Sequence, residues 1–345
     1  MSAVATQTLI EVRGLEVEYG RVRAVDGVDL TIGTGEILGL AGESGCGKST
    51  VANAIMQILR PPARIVGGSI RFQGDDLTGK RKEELRRYRW RNVSMVFQSA
   101  MNSLNPVMRV GDQFVDMMRA HEHISKDRAI TRAGELLELV GLDERLVRAY
   151  PHELSGGMRQ RVIIAMALAL EPELIIFDEP TTALDVVVQR EILQEVEALK
   201  HDLGFAVLFI THDLSLLLEI ADSITIMYAG RVVEQATAAE LFRTPRHPYT
   251  LGLLGSFPSL HGPRVTMTGI GGAPPDLRNP PAGCSFHPRC SYAMDVCRER
   301  IPLLRTPRRD GTSDRVVSCW LHEPAASSLS LPPALAAEHS MEGSR

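Results

Sequence analysis

A phosphate-binding loop is the feature of this sequence that most constrains its fold. Residues 42–49 read Gly-Glu-Ser-Gly-Cys-Gly-Lys-Ser, a pattern in which glycines and a Lys-Ser pair close around phosphate groups. An apolar strand is predicted over residues 36–41, directly before the loop, and a helix with apolar positions at three- and four-residue spacing is predicted over 48–59. This order predicts an α/β fold that binds phosphate at a helix N-terminus.

Backbone and side-chain groups of the loop have different expected roles. We expect Lys48 to reach the β- and γ-phosphates of ATP and the Ser49 hydroxyl to ligate Mg²⁺. Backbone N–H groups would supply most of the other phosphate contacts, aided by the helix dipole. The ATP-binding residues predicted here are Gly42, Glu43, Ser44, Gly45, Cys46, Gly47, Lys48, Ser49 and Thr50. Cys46 is interpreted as a small filler within the loop.

Two acidic residues follow a second apolar strand. Residues 174–177 are Leu-Ile-Ile-Phe, and Asp178 and Glu179 come next. We expect Asp178 to hold Mg²⁺, directly or through water, and Glu179 to polarise the water that attacks the γ-phosphate. Many apolar strands end in surface acids without any function, but the upstream phosphate loop favours the catalytic interpretation.

Composition and spacing divide the chain into three segments. Alternating strands and helices are predicted over residues 8–256, with short strands at 9–13 and 28–32 and a helical insert at about 99–155. Residues 257–324 are rich in Pro and Gly and hold four of the five cysteines, whereas 325–345 are expected to be disordered. The net charge of −4 argues against bulk electrostatic binding of nucleic acid. Since no apolar run reaches the roughly 18–20 residues of a membrane helix, we expect a soluble, cytosolic chain.

The sequence Leu154-Ser155-Gly156-Gly157 resembles the signature of the ATP-binding cassette (ABC) ATPases, which simple phosphate-loop kinases and GTPases lack. The resemblance extends over about residues 10–254. It implies a phosphate-loop cassette with a RecA-like core, an antiparallel β subdomain and a helical subdomain. In this family two cassettes pack head to tail, so Ser155, Gly156 and Gly157 are expected to cap the γ-phosphate held by a partner chain.

Further positions match the ABC family one by one. Gln98 matches the residue that senses Mg²⁺ and the attacking water, and His212 matches the switch histidine that contacts the γ-phosphate. Asp185, which ends an Ala-Leu-Asp sequence, matches the loop through which paired sites communicate. Tyr19 lies where the family stacks an aromatic ring on adenine, with an ordinary core or surface tyrosine as the alternative. Met158 replaces the family's more common Gln or Glu, and resembles one of the two ATPase subunits of peptide importers.

The C-terminal segment resembles the appendage of oligopeptide and dipeptide importer ATPases, within a subfamily that also imports nickel and opines. The resemblance lies in Arg-His-Pro-Tyr-Thr at residues 246–250 and Gly-Cys-Ser-Phe-His-Pro-Arg-Cys at 283–290. A cytosolic location disfavours disulfides between the four cysteines, so metal is the expected cross-link. Their spacing lacks the tight pairs of most zinc sites, although zinc and free thiols stay open. The resemblance implies a [4Fe–4S] cluster held by Cys284, Cys290, Cys297 and Cys319.

Together these resemblances imply an ATP-hydrolysing subunit, with ATP and Mg²⁺ as ligands, that powers import of di- or oligopeptides from the cytoplasmic face of the membrane. The implied partners are a second ATPase, usually a different chain, two transmembrane permease subunits and an extracytoplasmic solute-binding protein. Nickel, opine or oligosaccharide importers are the nearest alternatives. A non-transport ABC ATPase and a metal-dependent interaction or redox-sensing module are more distant ones. The basic stretch at 80–91 contains Glu83 and Glu84 and is interpreted as a solvated helix, not a nucleic-acid site.

Overall fold

The computed structural model describes residues 7–98, 103–181, 185–256, 269–307 and 315–323, together with Pro332 and Leu335. The strands are β1 (Thr8–Tyr19), β2 (Val22–Gly33), β3 (Ile37–Ala41), β4 (Ala63–Phe72), β5 (Asp75–Asp76), β6 (Val93–Val96), β7 (Leu174–Asp178), β8 (Ala206–Thr211), β9 (Ser223–Tyr228), β10 (Arg231–Thr237) and β11 (Val316–Val317). The helices are α1 (Lys48–Ile55), α2 (Lys82–Tyr88), α3 (Val110–His121), α4 (Lys126–Leu139), α5 (Gly156–Leu168), α6 (Val186–Leu203), α7 (Leu214–Ile220), α8 (Ala238–Arg243), α9 (Pro248–Leu254) and α10 (Asp295–Glu299). Apart from Pro332 and Leu335, the predicted tail lies outside these residues.

A seven-stranded sheet in the order β11-β10-β9-β3-β8-β7-β6 forms the centre of the fold. Strands β9, β3, β8, β7 and β6 are parallel, whereas β10 and β11 pair antiparallel. Every residue of β3, β7 and β8 is buried, because a parallel sheet is covered on both faces. The carboxyl ends of β3, β8, β7 and β6 lie side by side, so the loops that follow these four strands meet at one edge.

A second, four-stranded antiparallel sheet in the order β2-β1-β4-β5 packs on the first. Leu15, Val17 and Leu30 of this sheet share one buried apolar cluster with Leu38 and Leu40 of β3. The two-sheet arrangement confirms the predicted cassette architecture with an antiparallel β subdomain.

The predicted helical insert contains α3 and α4, followed by 3-10 turns at Glu144–Arg148 and Pro151–Glu153. Phe114 and Met118 of α3 and Leu137 of α4 are fully buried, since their three- and four-residue spacing places them on one helix face. They join a large apolar cluster that includes Val162 of α5. Residues 99–102, at the start of the insert, are outside the described part of the chain.

The C-terminal segment is continuous with the main core. Strand β11 extends the central sheet by pairing with β10, and Phe286, 4% exposed, belongs to the same apolar cluster as Phe177 of β7. The predicted boundary at residues 256 and 257 stays a prediction, because residues 257–268 lie outside the described part of the chain. None of the helices in the described ranges is long and apolar enough to cross a membrane.

Candidate functional site

The phosphate loop joins β3 to α1, as its motif predicts. Gly42 and Gly47 have φ angles of 149° and 105°, a region that side-chain-bearing residues rarely adopt. A Cβ atom at Gly42 would lie 2.2 Å from the Met227 carbonyl oxygen, and one at Gly47 would lie 2.4 Å from the Ala24 carbonyl oxygen. Both glycines are therefore required by the close approach of neighbouring strands as well as by backbone conformation.

Lys48 is buried at the start of α1 and donates from Nζ to the carbonyl oxygens of Gly42, at 2.7 Å, and Glu43, at 3.1 Å. Its ammonium group thus lies inside the curve of the loop. Cys46 is also buried, and burial raises the pKa of its thiol. Ser44 and Gly45 are exposed at the tip of the loop.

Oxygen atoms of the loop and of β7 meet beside α1. The Ser49 hydroxyl donates to Asp178 Oδ1 at 2.9 Å. Burial raises the pKa of Asp178, an effect that the Ser49 hydrogen bond opposes. A hydroxyl beside a carboxylate is a donor set that suits the hard Mg²⁺ ion. These two predicted ligands therefore fit the metal that they are expected to hold.

Glu179 is fixed from two sides at the end of β7. Its Oε2 accepts a hydrogen bond from Gln98 Nε2 at 3.0 Å, and its Oε1 lies 3.6 Å from His212 Nδ1. Its backbone has a positive φ of 47°, and its N–H donates to the Ile210 carbonyl oxygen on β8. A strained backbone held by neighbouring strands fits a functional site. Gln98 follows β6 and His212 follows β8, so topology brings all three side chains together.

Tyr19 ends β1 beside the phosphate loop. Its hydroxyl lies 3.5 Å from Thr50 Oγ1, and the residue is 36% exposed. The ring is therefore partly accessible beside α1. Its predicted part in adenine binding remains a prediction.

The signature residues begin α5, as predicted. Ser155 is the N-cap residue, and its Oγ accepts a hydrogen bond from the Met158 N–H at 3.2 Å. A Cβ atom at Gly157 would lie 3.1 Å from Val188 Cγ1, so this glycine allows α5 and α6 to approach closely. Ser155 is exposed, and Gly156 and Gly157 are partly exposed.

Asp185 begins α6, where its Oδ1 accepts hydrogen bonds from the N–H groups of Val187 and Val188. The preceding Ala183 and Leu184 of the predicted communication loop are outside the described residues. Val186 and Val187 are 69% and 67% exposed, a pair of adjacent apolar side chains at the surface.

All four C-terminal cysteines line one small cavity, together with His247 and Phe286. Burial raises the pKa of the Cys290 thiol to about 11 and also raises the pKa values of Cys284 and Cys319. Cys290 Sγ accepts a hydrogen bond from the Tyr292 N–H at 3.4 Å.

A single tetrahedral zinc ion would require cysteine sulfurs about 3.8 Å apart, from Zn–S bonds of about 2.3 Å. Within the part of the chain that the structure describes, no group of three or more His, Cys, Asp or Glu side chains is arranged to hold a metal ion. The metal centre predicted at these four thiols, whether zinc or [4Fe–4S], therefore stays a prediction.

One contact at the loop was not predicted from the sequence. Glu43 is predicted from the sequence to bind ATP. Its carboxylate forms a bidentate ion pair with Arg289, which directly precedes Cys290. The pairing raises the pKa of Arg289. Arg289 occurs in the Cys-rich sequence that carries the family resemblance, but no pattern links it to a residue 246 positions away.

Comparison with solved structures identifies the class of fold. The dimeric ATP-binding cassette MJ0796, in a post-hydrolysis state bound to ADP and phosphate, matches with a TM-score of 0.59 and 28% identity, covering 67% of this chain and 99% of that one. The cassette cbiO1 from Clostridium perfringens, part of the transporter complex cbiONQ, matches with a TM-score of 0.60 and 29% identity, over 68% and 91% of the two chains. The ABC transporter family model matches residues 25–182.

A second family model, the oligopeptide/dipeptide transporter C-terminal region, matches residues 233–297. The oligopeptide transport ATP-binding protein OppD of Bacillus subtilis is 45% identical over 96% of this chain and 93% of its own length. The dipeptide transport ATP-binding protein DppD of Caldanaerobacter subterraneus is 41% identical over 91% and 97%. The chain therefore belongs to the ABC transporter family of oligopeptide and dipeptide transport ATP-binding proteins.

Proposed function

We propose that the chain is the ATP-binding and ATP-hydrolysing subunit of an importer that carries di- or oligopeptides across the cytoplasmic membrane. One observation carries the proposal: Ser49, Gln98, Asp178, Glu179 and His212 converge beside the phosphate loop. The substrate class is supported by relatives that are named for oligopeptide and dipeptide transport. Those names favour peptides over the alternatives, which are nickel, opines and oligosaccharides.

In this proposal the loop and its neighbours hold the nucleotide. Lys48 and the backbone N–H groups of residues 42–50 bind the β- and γ-phosphates, and Tyr19 stacks on adenine. Ser49, Asp178 and Gln98 hold Mg²⁺, which neutralises phosphate charge when it is bound. Cys46 fills space behind the loop and contributes its backbone.

Glu179 is the proposed catalytic residue. Its carboxylate accepts a hydrogen bond from a water molecule and directs the water oxygen at the γ-phosphorus. The new P–O bond forms as the bond to the β-phosphate oxygen breaks, giving ADP and phosphate, and the carboxylate takes the water proton. Gln98 and His212 fix the orientation of the carboxylate because they contact its two oxygens.

The site is completed by a second cassette. Ser155, Gly156 and Gly157 would cap the γ-phosphate bound by a partner chain, since all three are accessible at the N-terminus of α5. The exposed Val186 and Val187, next to Asp185, support a protein contact on this face. We infer from Met158 that the partner is a different ATPase chain.

The remaining proposed partners are two transmembrane permease subunits and an extracytoplasmic solute-binding protein. The chain would attach to the permeases peripherally at the cytoplasmic face. Closing of the two cassettes on ATP and their reopening after hydrolysis would move the permeases between outward and inward states.

We further propose that Cys284, Cys290, Cys297 and Cys319 hold a [4Fe–4S] cluster. Four thiols around one small cavity match the ligand set of such a cluster, and the Tyr292 N–H hydrogen bond to Cys290 is of the kind that stabilises a sulfur ligand. Burial favours the neutral thiol form of Cys290, and a bound metal centre would stabilise the thiolate form instead. The cluster would cross-link a segment that has little regular structure.

The catalytic assignment is tested with Glu179→Gln, measured in the reconstituted pair of cassettes. The variant should bind ATP but hydrolyse it at least about 100-fold more slowly, because the water loses its proton acceptor. It should also accumulate closed, ATP-bound dimers on a sizing column. Glu197→Gln, an exposed glutamate of α6, is the matched control and should hydrolyse ATP normally. Wild-type turnover in Glu179→Gln would refute the assignment.

The cluster assignment is tested on chain purified without oxygen. We expect a brown protein with about four iron atoms and four sulfides per chain, as a [4Fe–4S] cluster requires. Cys319→Ala should lose the colour, whereas Cys46→Ala, outside the cavity, should keep it. Iron-free chain that contains stoichiometric zinc would establish the zinc alternative, and metal-free chain would establish free thiols.

A further inference from the structure

We propose that Arg289 and Tyr249 are positioning residues for the phosphate loop, and that through Arg289 ATP affinity depends on the Cys-rich C-terminal segment. The proposal rests on the proposed function in two respects, namely that the nucleotide is ATP and that the cysteine cavity holds a metal centre. Both residues contact the phosphate loop at Glu43, which lies more than 200 positions before them in the sequence.

The contact between Arg289 and Glu43 is a strong one. Arg289 Nη1 lies 2.6 Å from Glu43 Oε2, and Arg289 Nη2 lies 2.9 Å from Glu43 Oε1. Two parallel charge-assisted hydrogen bonds of this kind fix direction as well as distance. The Arg289 side chain is 6% exposed and that of Glu43 is 26% exposed, so water screens the pair only weakly.

Tyr249 holds the backbone at the same point. Its hydroxyl accepts a hydrogen bond from the Glu43 N–H at 2.9 Å, and the residue is fully buried at the start of α9. Its ring packs against those of Tyr228, at 4.7 Å, and Phe286, at 5.3 Å between centroids. The guanidinium of Arg289 lies over the same two rings, at 5.8 and 6.0 Å. These contacts form one packed unit behind the loop.

The charge of Glu43 explains why the loop needs this support. The phosphate loop at residues 42–49 is expected to surround a highly negative triphosphate, and Glu43 is its single acidic residue. An unpaired carboxylate there would repel the ligand, and repulsion is strong where water is partly excluded. Arg289 neutralises the carboxylate and holds it in one orientation, leaving the Lys48 ammonium as the uncompensated charge of the loop.

Arg289 also connects the loop to the cysteine cavity. It precedes Cys290 in the chain, and its Nε donates to the Gly271 carbonyl oxygen at 2.8 Å. Arg289 ends a 3-10 turn at His287–Arg289, and the Cys284 N–H just before that turn donates to the Cys297 carbonyl oxygen at 2.8 Å. The turn that carries Arg289 is therefore anchored at residues that line the cavity. Loss of a metal centre there would loosen the backbone that places the guanidinium.

The first test measures the dissociation constant of a fluorescent ATP analogue, without hydrolysis. Arg289→Ala should weaken binding about 10- to 100-fold, since charge-assisted hydrogen bonds of about 1.5–3 kcal/mol hold the carboxylate. Adding Glu43→Gln in the same chain should restore affinity to within about threefold, because the unpaired charge is then removed. Arg278→Ala is the matched control: Arg278 pairs with Asp276 at the surface of the same segment, and binding should be unchanged.

Rescue by Glu43→Gln is a readout that a merely structural role of Arg289 would not produce. Tyr249→Phe, which removes the hydroxyl and keeps the ring, should also weaken binding, and it covers the case in which Arg289→Ala does not fold. Unchanged affinity in folded Arg289→Ala, or failure of Glu43→Gln to rescue it, overturns the proposal. Wild-type chain that does not bind the analogue overturns the proposed function as well.

The second test compares chain with its metal in place and after treatment with a chelator. Wild-type chain should lose ATP affinity on metal removal, whereas the Glu43→Gln, Arg289→Ala double variant should show the same affinity in both states. Equal affinity of the wild-type chain in both states, with metal release verified by iron analysis, would refute the dependence on the cysteine segment.

Discussion

A buried ion pair between Glu234 and Arg315 joins the C-terminal segment to the central sheet, and its removal should be costly. Arg315 Nη2 lies 3.0 Å from Glu234 Oε1, and the two side chains are 2% and 0% exposed. Glu234, on β10, also accepts hydrogen bonds from the N–H groups of Arg246 and His247 at 2.8 and 2.9 Å. A single carboxylate therefore links β10, the start of α9 and the residue preceding β11.

Arg315→Met keeps most of the side-chain volume and removes the charge. Loss of one partner of a buried ion pair costs about 3–5 kcal/mol, because the other charge stays buried without compensation. For a chain of this length, that cost corresponds to a fall of about 4–7 °C in the midpoint of thermal unfolding. We expect β11 to detach from β10 first, since Arg315 directly precedes its two residues. Hydrogen exchange of the Ser318 N–H, which donates to the Val233 carbonyl oxygen on β10, would report that detachment.

The effect of Arg315→Met should depend on pH. Burial raises the pKa of Glu234 above its usual 4.5, and Arg315 opposes that rise, so the variant should raise it further. A carboxyl group with a raised pKa in the folded state favours folding when protonated. Its stabilising contribution is present below pH 4.5 and is lost as pH rises through the folded-state pKa.

Thermal unfolding at pH 5 and pH 8, followed by circular dichroism, tests this reasoning. The loss of stability in Arg315→Met should be larger at pH 8. Glu234→Gln combined with Arg315→Met should recover part of the loss at pH 8, since no buried charge remains. A fall of less than about 2 °C, or an equal fall at both pH values, would refute the argument.

Three further predictions concern the nucleotide, a pH-sensitive carboxylate and the partner chain. Lys48→Ala should lose ATP binding by isothermal titration calorimetry, because its ammonium is the charge that the loop encloses; unchanged affinity would contradict the proposed phosphate cradle. Burial raises the pKa of Glu195 to about 7, so the stability of the wild type should fall relative to Glu195→Gln as pH rises from 6 to 8 in urea unfolding; a constant difference would exclude this effect. Tagged chain extracted from membranes should bring down a second, different cassette in equal amount, as quantified by mass spectrometry, and recovery of this chain alone would contradict the asymmetric pair inferred from Met158.

The buried strands of the central sheet could be predicted closely because their apolar runs are continuous. The strand predicted over residues 174–177 is observed as Leu174–Asp178. The helix predicted over 48–59 ends earlier, at Ile55, because the chain turns at Gln57, whose φ is 54°. No propensity or apolar spacing at Gln57 indicates that turn, which is stabilised by a bond from its own Nε2 to the Ala54 carbonyl oxygen.

The lengths of the strands in the smaller sheet were underestimated from the sequence, for a different physical reason. Strands predicted over residues 9–13 and 28–32 extend to Thr8–Tyr19 and Val22–Gly33. Gly14 and Gly27 lie inside them with φ angles of 53° and 71°, and the pairing of β1 shifts register on both sides of Leu15. In a sequence taken alone, glycine within an apolar run indicates the end of a strand. Here the glycines permit bulges, and the strand continues past them.

The candidate site shows the same division between local and tertiary information. The phosphate loop and the acidic pair at 178–179 are each contiguous, so spacing alone predicts them. Their convergence with Gln98 and His212 follows from the order of parallel strands, whose carboxyl ends share one edge. The pairing of Glu43 with Arg289 has no such basis, since it depends on how the C-terminal segment folds back onto the loop.

Two parts of the fold therefore supply residues around the phosphate loop. The central sheet supplies the groups proposed to act on the γ-phosphate, since Gln98, Glu179 and His212 follow β6, β7 and β8. The C-terminal segment supplies Arg289, behind the loop, and α9 just before that segment supplies Tyr249. Because the hydrogen bonds and the ion pair of the second set reach the loop at Glu43, we expect this set to change ATP affinity without displacing Glu179 or its two partners. We infer that control of nucleotide binding is separate from the proposed hydrolysis step.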